Sequence, residues 1–174
     1  SLVAEPRITL VTRGDSTEIC RDGRCSHSGD DPLDLLRRAL TEMGPRATVP
    51  PFGGGAVGYF GYDLARRFEA LPLRAGDDLA LPEMAVGIYD WAVVVDHMTQ
   101  RCWLSGDAIA LRQWQALSAQ AVVSGAFTVR EAPRSDLPEA AYAQAFARVQ
   151  RYLREGDCYQ VNLAQRFVCP VSGD

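Results

Sequence analysis

The chain has 174 residues, of which 47% are hydrophobic and 23% are charged, and its formal net charge at pH 7 is −4. This length suits one domain or a part of a larger one, and the apolar content is too high for an intrinsically disordered chain. Because there is no basic excess, the composition gives no indication of nucleic acid or of a membrane surface as a partner.

The basic residues show an unusual bias. All 18 are arginine, and Asn162 is the single asparagine. We attribute this bias to GC-rich coding DNA, since lysine and asparagine use A-rich codons. The bias still has a chemical consequence, because no side chain here can form a Schiff base, act as an amine nucleophile or serve as a P-loop lysine.

The N-terminal residues and the cysteines both bear on the cellular compartment of the protein. Residues 1–6 lack the charged and then apolar pattern of a signal peptide, and a start without Met suggests a trimmed or internal beginning. The cysteines are five in number and scattered, which predicts a reducing cytoplasm rather than a disulfide framework. The spacing of Cys20, Cys25 and His27 is not a usual zinc pattern, so we expect no metal there.

The first half of the chain predicts a hairpin, a helix and a further strand. Residues 7–12 and 17–20 are expected to pair around a turn at 13–16. A helix should begin at residues 30–32 and end at Gly44, because Asp caps a helix and Gly-Pro ends one. Its predicted apolar face consists of Leu33, Leu36, Leu40 and Met43. A strand over 56–62 then leads to a short helix over 64–68 that Asp63 is expected to cap.

The second half begins with an apolar run over 84–95, which predicts a buried strand broken at Asp90 and returning as residues 101–104. Helices are predicted over 107–122 and 138–155, and Gly156 should end the second. Their expected apolar faces are Ile109, Leu111, Trp114, Leu117 and Ala121, and Tyr142, Phe146, Val149 and Leu153. Short strands are predicted over 127–129 and 158–167. These elements indicate an α+β fold of mainly antiparallel sheets flanked by helices.

A glycine-rich segment, residues 53–58, formally matches the dinucleotide pattern G-x-G-x-x-G. That site requires a strand before it and a helix after it, whereas here a Pro-Pro loop precedes and a strand-like run follows. We therefore interpret the glycines as permitting sharp turns and close packing. In the run that follows, alternation places Tyr59 and Gly61 on one face and Phe60 and Tyr62 on the other. These aromatic residues fit core packing, the wall of a pocket or a contact between domains.

The segment over 156–167 is the most informative part of the sequence. Tyr159 begins an apolar face, while Gln160 and Asn162 point to the opposite face. On an edge strand such amides are solvated, and on a central strand they need partners and often line a ligand pocket. The pattern alone leaves both alternatives open. The sequence contains no nucleophile elbow, no H-E-x-x-H and no convincing acid–base pair.

Three strings together resemble a known family. Residues 54–69, 81–92 and 156–167 are similar to component I of aminodeoxychorismate synthase, one of the chorismate-utilising enzymes. The string Tyr-Gln-Val-Asn-Leu beginning at Tyr159 resembles that branch more than it resembles anthranilate synthase. Members of the family are more than twice as long, so the resemblance implies an N-terminal fragment. It implies an N-terminal domain over 1–134 and the start of the chorismate-binding domain over 135–174.

The resemblance also implies an activity for the longer protein. It would aminate chorismate to 4-amino-4-deoxychorismate with Mg²⁺ and with ammonia from a glutaminase subunit, on the way to p-aminobenzoate and folate. The family's Mg²⁺ ligands, chorismate-binding residues and nucleophilic lysine would follow residue 174, so no catalytic or metal-binding residue is expected in this chain. The expected compartment is the cytoplasm, without nucleic acid or membrane.

The resemblance further implies an effector pocket for tryptophan. The residues expected to line it are Tyr159, Gln160 and Asn162, followed by the weaker candidates Tyr59, Tyr62 and Asp63. Two alternatives remain open: an anthranilate synthase component I fragment, and a non-catalytic domain that binds an effector or acts as a scaffold. Alone, the chain is expected to turn over no chorismate and to oligomerise or aggregate through exposed strand edges.

Overall fold

The computed structural model describes residues 1–44, 51–72, 76–121 and 125–173. The chain contacts divide it into two compact units, Ser1–Gln120 and Ala121–Asp174. The Pro- and Gly-rich composition of residues 45–55 predicts a loop, of which residues 45–50 lie outside the described residues. The predicted domain boundary at 134/135 falls inside the second unit and stays a prediction.

The first unit contains a five-stranded sheet in the order β3-β2-β1-β5-β4, with every neighbouring pair antiparallel. The mixture of antiparallel sheets and helices confirms the predicted α+β class. The strands are β1 (Ile8–Arg13), β2 (Ser16–Arg21), β3 (Arg24–Ser28), β4 (Gly55–Phe60) and β5 (Met84–Tyr89).

Two tight turns connect the first three strands. Arg13 pairs with Ser16 across the predicted first turn, in which Gly14 has a φ of 54°. Asp22 and Gly23 form the second turn with φ values of 50° and 74°. Two consecutive positive φ angles are typical of a type I′ hairpin, for which Asp-Gly is a strong sequence signal. Strand β3 was not among the predicted strands, although this turn signal is present in the sequence.

Helix α1 (Pro32–Met43) packs on one face of the sheet and confirms the predicted helix. The Asp31 carboxylate accepts the backbone N–H groups of Leu33 and Asp34, so the N-terminus is capped as expected. The predicted apolar face is shifted by about one residue, since Leu35 and Ala39 are buried whereas Leu40 is exposed. The remaining three predicted residues pack around this cluster, which corrects the centre of the face and not its existence.

The core of this unit lies between α1 and the sheet. Ile8 and Leu10 of β1 and Met84 and Ile88 of β5 are each at most 1% exposed. Burying a side chain of this size stabilises the fold by about 1.5–3 kcal/mol, so these four residues anchor the unit. The 3₁₀ helix (Tyr62–Arg67) adds the buried Leu64 to the same cluster.

A second, two-stranded sheet follows β5. The predicted break at Asp90 is confirmed, because β6 (Ala92–Asp96) leaves the first sheet and pairs with β7 (Arg101–Ser105). Helix α2 (Ala108–Ser118) follows, and Ala110 is buried in a cluster with Trp91 and Val93. The predicted apolar face of this helix is corrected, since Ile109 and Leu111 are about half exposed while Trp114 and Leu117 pack against the cluster.

The described residues of the second unit form one long helix and two short strand pairs. Helix α3 (Glu139–Glu155) ends at Gly156, whose φ of 80° confirms the predicted C-terminal glycine. The pairs join β8 (Thr128–Val129) to β11 (Val171–Ser172) and β9 (Arg134–Ser135) to β10 (Phe167–Val168). No residue of α3 is buried, and Phe146 of its predicted stripe is 49% exposed. The apolar stripe therefore lies at the surface of this unit.

The predicted strand over 158–167 is wrong. Only Phe167 of that range belongs to a strand, and residues 158–166 form no regular secondary structure. A strand needs a neighbour for its N–H and C=O groups, and within the described ranges β9 supplies one to Phe167 and Val168 alone. No helix in the described part of the chain is long and apolar enough to cross a membrane.

Candidate functional site

The first group of predicted effector residues lies where β4 passes into the 3₁₀ helix. Tyr59 is paired with Ala85 and points away from the core, while Phe60 points to the α1 side with Met84. This assignment agrees with the predicted alternation. Tyr62 is 87% exposed, so its ring is open to a ligand or a neighbouring protein surface.

Asp63 does not have its predicted role as a helix cap. The 3₁₀ helix begins after Gly61 without a side-chain cap, and the Asp63 carboxylate instead accepts a hydrogen bond from Arg66 Nε at 2.7 Å. Arg66 also donates to the carbonyl of Leu71, so the ion pair fixes the chain that leaves the helix. The carboxylate is nevertheless more than half exposed and keeps a free side toward solvent.

Glycines allow β4 to lie close to β5. A Cβ on Gly58 would come within 2.1 Å of the Ala85 carbonyl oxygen, and a Cβ on Gly54 would come within 2.6 Å of the Tyr89 carbonyl oxygen. Because Gly58 lies inside a strand, no helix opens on the last glycine of the G-x-G-x-x-G match. The glycines therefore serve close packing, and the geometry of a dinucleotide site is not formed.

The face of the sheet opposite α1 carries an exposed set of apolar and aromatic side chains. It includes Tyr59 and Val57 of β4, each about two fifths exposed, and Tyr89 of β5, whose ring lies over Gly87. Such a face can pack against a flat ligand or another protein surface. The β4–β5 part of this face shows no acid–base pair among the described residues, and the nearby Glu83 carboxylate accepts the Gly14 N–H at 3.0 Å in a structural role.

The second group of predicted effector residues lies in the other unit, after α3. Tyr159 is 94% exposed, and Gln160 and Asn162 are also exposed. The chain beyond them is held by Asp136, whose carboxylate accepts the Arg166 backbone N–H at 2.9 Å, and by a Ser135–Gln165 side-chain hydrogen bond of 3.1 Å. The structure thus brings each group together within its own unit, and their joint role in a pocket stays a prediction.

A cluster that sequence reasoning dismissed lies on the β2–β3 hairpin. Cys20 and Cys25 form a disulfide, which corrects the expectation of unpaired cysteines. The sequence signal for it was the Asp-Gly turn, which places the two cysteines directly opposite each other. Potential ligand atoms of Glu18, Cys20 and Cys25 lie within 4.8 Å of one another.

Among the described residues, three carboxylates have shifted pKa values, and each shift has a structural cause. A hydrogen bond from Arg38 lowers the pKa of Asp30, and hydrogen bonds from Thr99 lower the pKa of Asp96. The backbone N–H of Ala110 lowers the pKa of Asp107 at the start of α2. None of the three belongs to the predicted effector residues, so these shifts reflect turns, caps and ion pairs.

Comparison with known proteins gives a consistent result. The sequence model of the chorismate binding enzyme family matches residues 8–174. Aminodeoxychorismate synthase component 1 of Klebsiella aerogenes is 47% identical over 99% of this chain and 39% of its own length. The protein of the same name from Escherichia coli (strain K12) is 46% identical with the same coverage. The chain therefore spans about two fifths of the length of these relatives.

Anthranilate synthases are also similar to the chain. Component 1 from Streptomyces coelicolor is 35% identical over 83% of this chain and 33% of its own length. The crystal structure of anthranilate synthase component I from Streptococcus pneumoniae superimposes with a TM-score of 0.65 at 22% identity, covering 99% of this chain and 42% of that one. This structural similarity concerns the fold alone.

Proposed function

Because the chain belongs to the family of chorismate binding enzymes, we propose that it is the N-terminal part of an aminodeoxychorismate synthase component 1. The longer protein aminates chorismate to 4-amino-4-deoxychorismate, which leads to p-aminobenzoate and folate. The observation that carries this proposal is the similarity to relatives of that name over nearly the whole chain.

In this proposal the catalytic residues of the longer protein do not lie within this chain. The sequence has no lysine for the nucleophilic role that the resemblance implies. Mg²⁺ prefers oxygen ligands, whereas the cluster of Glu18, Cys20 and Cys25 supplies two sulfurs. These residues do not fit Mg²⁺, and we derive no step through that ion in this chain.

The chain's own contribution is proposed to be an effector pocket for tryptophan. Within the second unit, the exposed ring of Tyr159 can pack against an indole, and the amides of Gln160 and Asn162 can bind an amino-acid carboxylate. Within the first unit, the exposed ring of Tyr62 lies beside the Asp63 carboxylate, whose open side can accept an ammonium group. Each group thus offers an aromatic ring beside polar side chains, which is the chemistry that an aromatic amino acid requires.

The proposed partners follow from the same relatives. A protein named component 1 implies a second component, and we propose a glutaminase subunit that supplies ammonia. We further propose that the longer protein works in the cytoplasm. There the Cys20–Cys25 pair would be exposed to thiol reductants.

A product analysis tests the proposed activity. The longer protein, encoded by the same reading frame, should convert chorismate, ammonia and Mg²⁺ to a product that keeps the enolpyruvyl group, and this chain alone should form none. Release of pyruvate with formation of anthranilate would instead establish the second candidate, anthranilate synthase, which the Streptomyces coelicolor relative favours. A downstream Pro-Ile-Lys-Gly-Thr would support the first candidate, and Ala in place of that Lys the second.

Effector binding needs its own measurement. Calorimetric titration of the longer protein with L-tryptophan should show binding that Tyr159→Ala weakens, while Tyr152→Ala on the exposed surface of α3 serves as the control. If both variants bind tryptophan as the unmodified protein does, the assignment of Tyr159 to the pocket is wrong. Tryptophan binding without any turnover of chorismate by the longer protein would establish the non-catalytic alternative.

A further inference from the structure

The β2–β3 hairpin places four metal-ligating side chains in two facing pairs. Glu18 lies opposite His27, and Cys20 lies opposite Cys25. In a hairpin with a two-residue turn, the pair beside the turn is hydrogen-bonded and alternate pairs are not, so both of these pairs are of the closer, non-hydrogen-bonded type. The Cα separation of 4.0 Å between the cysteines agrees with this assignment.

All four side chains lie on the face of the hairpin that points away from α1. The alternate residues of β2 point to the other side, where Thr17 is buried and Ile19 packs on the core. Arg21, also on the helix side, is bound to Glu42 of α1 at 2.7 Å. Its positive charge is therefore neutralised away from the cysteines and does not oppose a cation on their face.

The ligating atoms lie near one another, and in the oxidised form the two sulfurs are bonded to each other. The ligating atoms of Glu18, Cys20 and Cys25 lie within 4.8 Å of one another, and His27 Nε2 lies 3.9 Å from Glu18 Oε2. Zinc bonds of about 2.0–2.3 Å imply separations of roughly 3.3–3.8 Å between neighbouring ligand atoms. To reach that spacing, the two sulfurs must separate after reduction and the His27 imidazole must turn toward them. Both movements are changes of side-chain rotamer on one hairpin, on which Glu18 and His27 lie opposite each other next to the cysteine pair.

We propose that the reduced hairpin binds one Zn²⁺ through the sulfurs of Cys20 and Cys25, the Glu18 carboxylate and the His27 imidazole. Two sulfurs with one nitrogen and one oxygen select a borderline-soft cation over Mg²⁺. Because Glu18 and His27 are about half and two thirds exposed, water competes for the ion. The expected affinity is therefore micromolar, weaker than that of a buried structural zinc site.

Reduction must come first, because the disulfide uses the two sulfurs that would bind the metal. One thiolate of a dithiol reductant attacks a cysteine sulfur and releases the other as a thiolate, and the second thiol of the reductant then displaces the first cysteine. The reductant leaves as a cyclic disulfide, and two electrons have passed to the cysteine pair. Zinc binding then releases the two thiol protons to solvent, without a change in the oxidation state of the metal.

The test titrates the reduced chain with Co²⁺ and then with Zn²⁺ under anaerobic conditions. One equivalent of Co²⁺ should produce thiolate charge-transfer absorption, which Zn²⁺ abolishes by displacement. Cys20→Ser and Cys25→Ser should each weaken binding at least tenfold, and Glu18→Gln and His27→Asn several-fold. Cys102→Ser, which changes an exposed cysteine on β7, is the matched control and should bind as the unmodified chain does.

A second measurement covers the case in which a hairpin variant fails to fold. Zn²⁺ should protect Cys20 and Cys25 of the reduced, unmodified chain from alkylation, and a chelator should reverse the protection, while labelling of Cys102 stays unchanged. Equal labelling of the hairpin cysteines with and without Zn²⁺ would overturn the proposal. Equal Zn²⁺ binding by the oxidised and the reduced chain would do the same, because it would place the ion elsewhere.

Discussion

The hydrogen bond between Thr12 and Thr17 is a buried polar contact whose energy a double-mutant cycle can measure. The two residues face each other across β1 and β2, both are 0% exposed, and their Oγ1 atoms lie 2.9 Å apart. Replacing either Thr by Val keeps the shape and removes the hydroxyl. The hydroxyl that remains is then buried without its partner.

The expected magnitudes follow from this asymmetry. A buried hydroxyl that has lost its partner costs about 1–3 kcal/mol, so Thr12→Val and Thr17→Val should each lower the free energy of unfolding by that amount. In the double variant both hydroxyls are absent, and two methyl groups meet in an apolar core. The double variant should therefore lie within about 1 kcal/mol of the unmodified chain, with a coupling energy of about 1–3 kcal/mol.

Urea unfolding followed by tryptophan fluorescence can report the result for the first unit. All three tryptophans belong to that unit: Trp91, Trp103 and Trp114. Thr9→Val, the same change on the opposite face of β1, is the matched control and should alter stability by less than about 0.5 kcal/mol. If the free energy of unfolding of the double variant falls by the sum of the two single decreases, the hydroxyls do not interact and the predicted coupling is wrong.

Three further predictions concern backbone packing, pH and the disulfide. Gly58→Ala should lower the free energy of unfolding in urea by about 1–3 kcal/mol, because its Cβ would overlap β5. Gly29→Ala, whose Cβ would have no atom nearer than 3.9 Å, is the control and should be nearly neutral. Equal losses in the two variants would contradict this prediction. The carboxylate of Asp107 has a lowered pKa in the folded state, so its stabilising effect is complete above the unfolded value near pH 4 and is lost as pH falls through the folded pKa. Melting temperatures at pH 7 and pH 3 should therefore differ less for Asp107→Asn than for the unmodified chain, and an unchanged difference would contradict the assignment. Reducing the Cys20–Cys25 disulfide should lower the free energy of unfolding by about 2 kcal/mol at most, because the bond closes a short loop between residues separated by 5 positions and so restricts the unfolded chain only a little. Cys20→Ser should make the stability insensitive to dithiothreitol. A variant that remains sensitive would argue against the pairing.

Features set by local chemistry were predictable from the sequence. Asp31 before Pro32, and Gly44 after Met43, define both ends of α1 through a side-chain cap and a positive φ of 70° at the glycine. The turn at Gly14 fixed the first hairpin in the same way. These signals work because the residues that form the cap or turn are also the ones that stabilise it.

Features set by tertiary packing were predicted less well. The helical period of α2 was right, but its buried side depends on where Trp91 and Val93 lie, and that position selected Ala110 over the larger Ile109. A preference for bulky residues correctly includes Trp114 and Leu117, but it adds the half-exposed Ile109 and Leu111 and omits the buried Ala110. Periodicity gives the width of an apolar face and does not choose its centre.

The segment after α3 shows the same limit for strands and bears on the predicted effector site. The alternation of Tyr159, Val161 and Leu163 describes which side chains would share a face, but a strand also requires a neighbour for its backbone groups. Val161 is 42% exposed, and Phe146 of α3 is 49% exposed, so this unit presents apolar side chains that its own residues do not cover. Exposed apolar area of this kind gains free energy only when another surface covers it. We therefore expect residues 158–166 to become ordered as a strand in the longer protein proposed above, and Gln160 and Asn162 to be fixed toward a ligand only there.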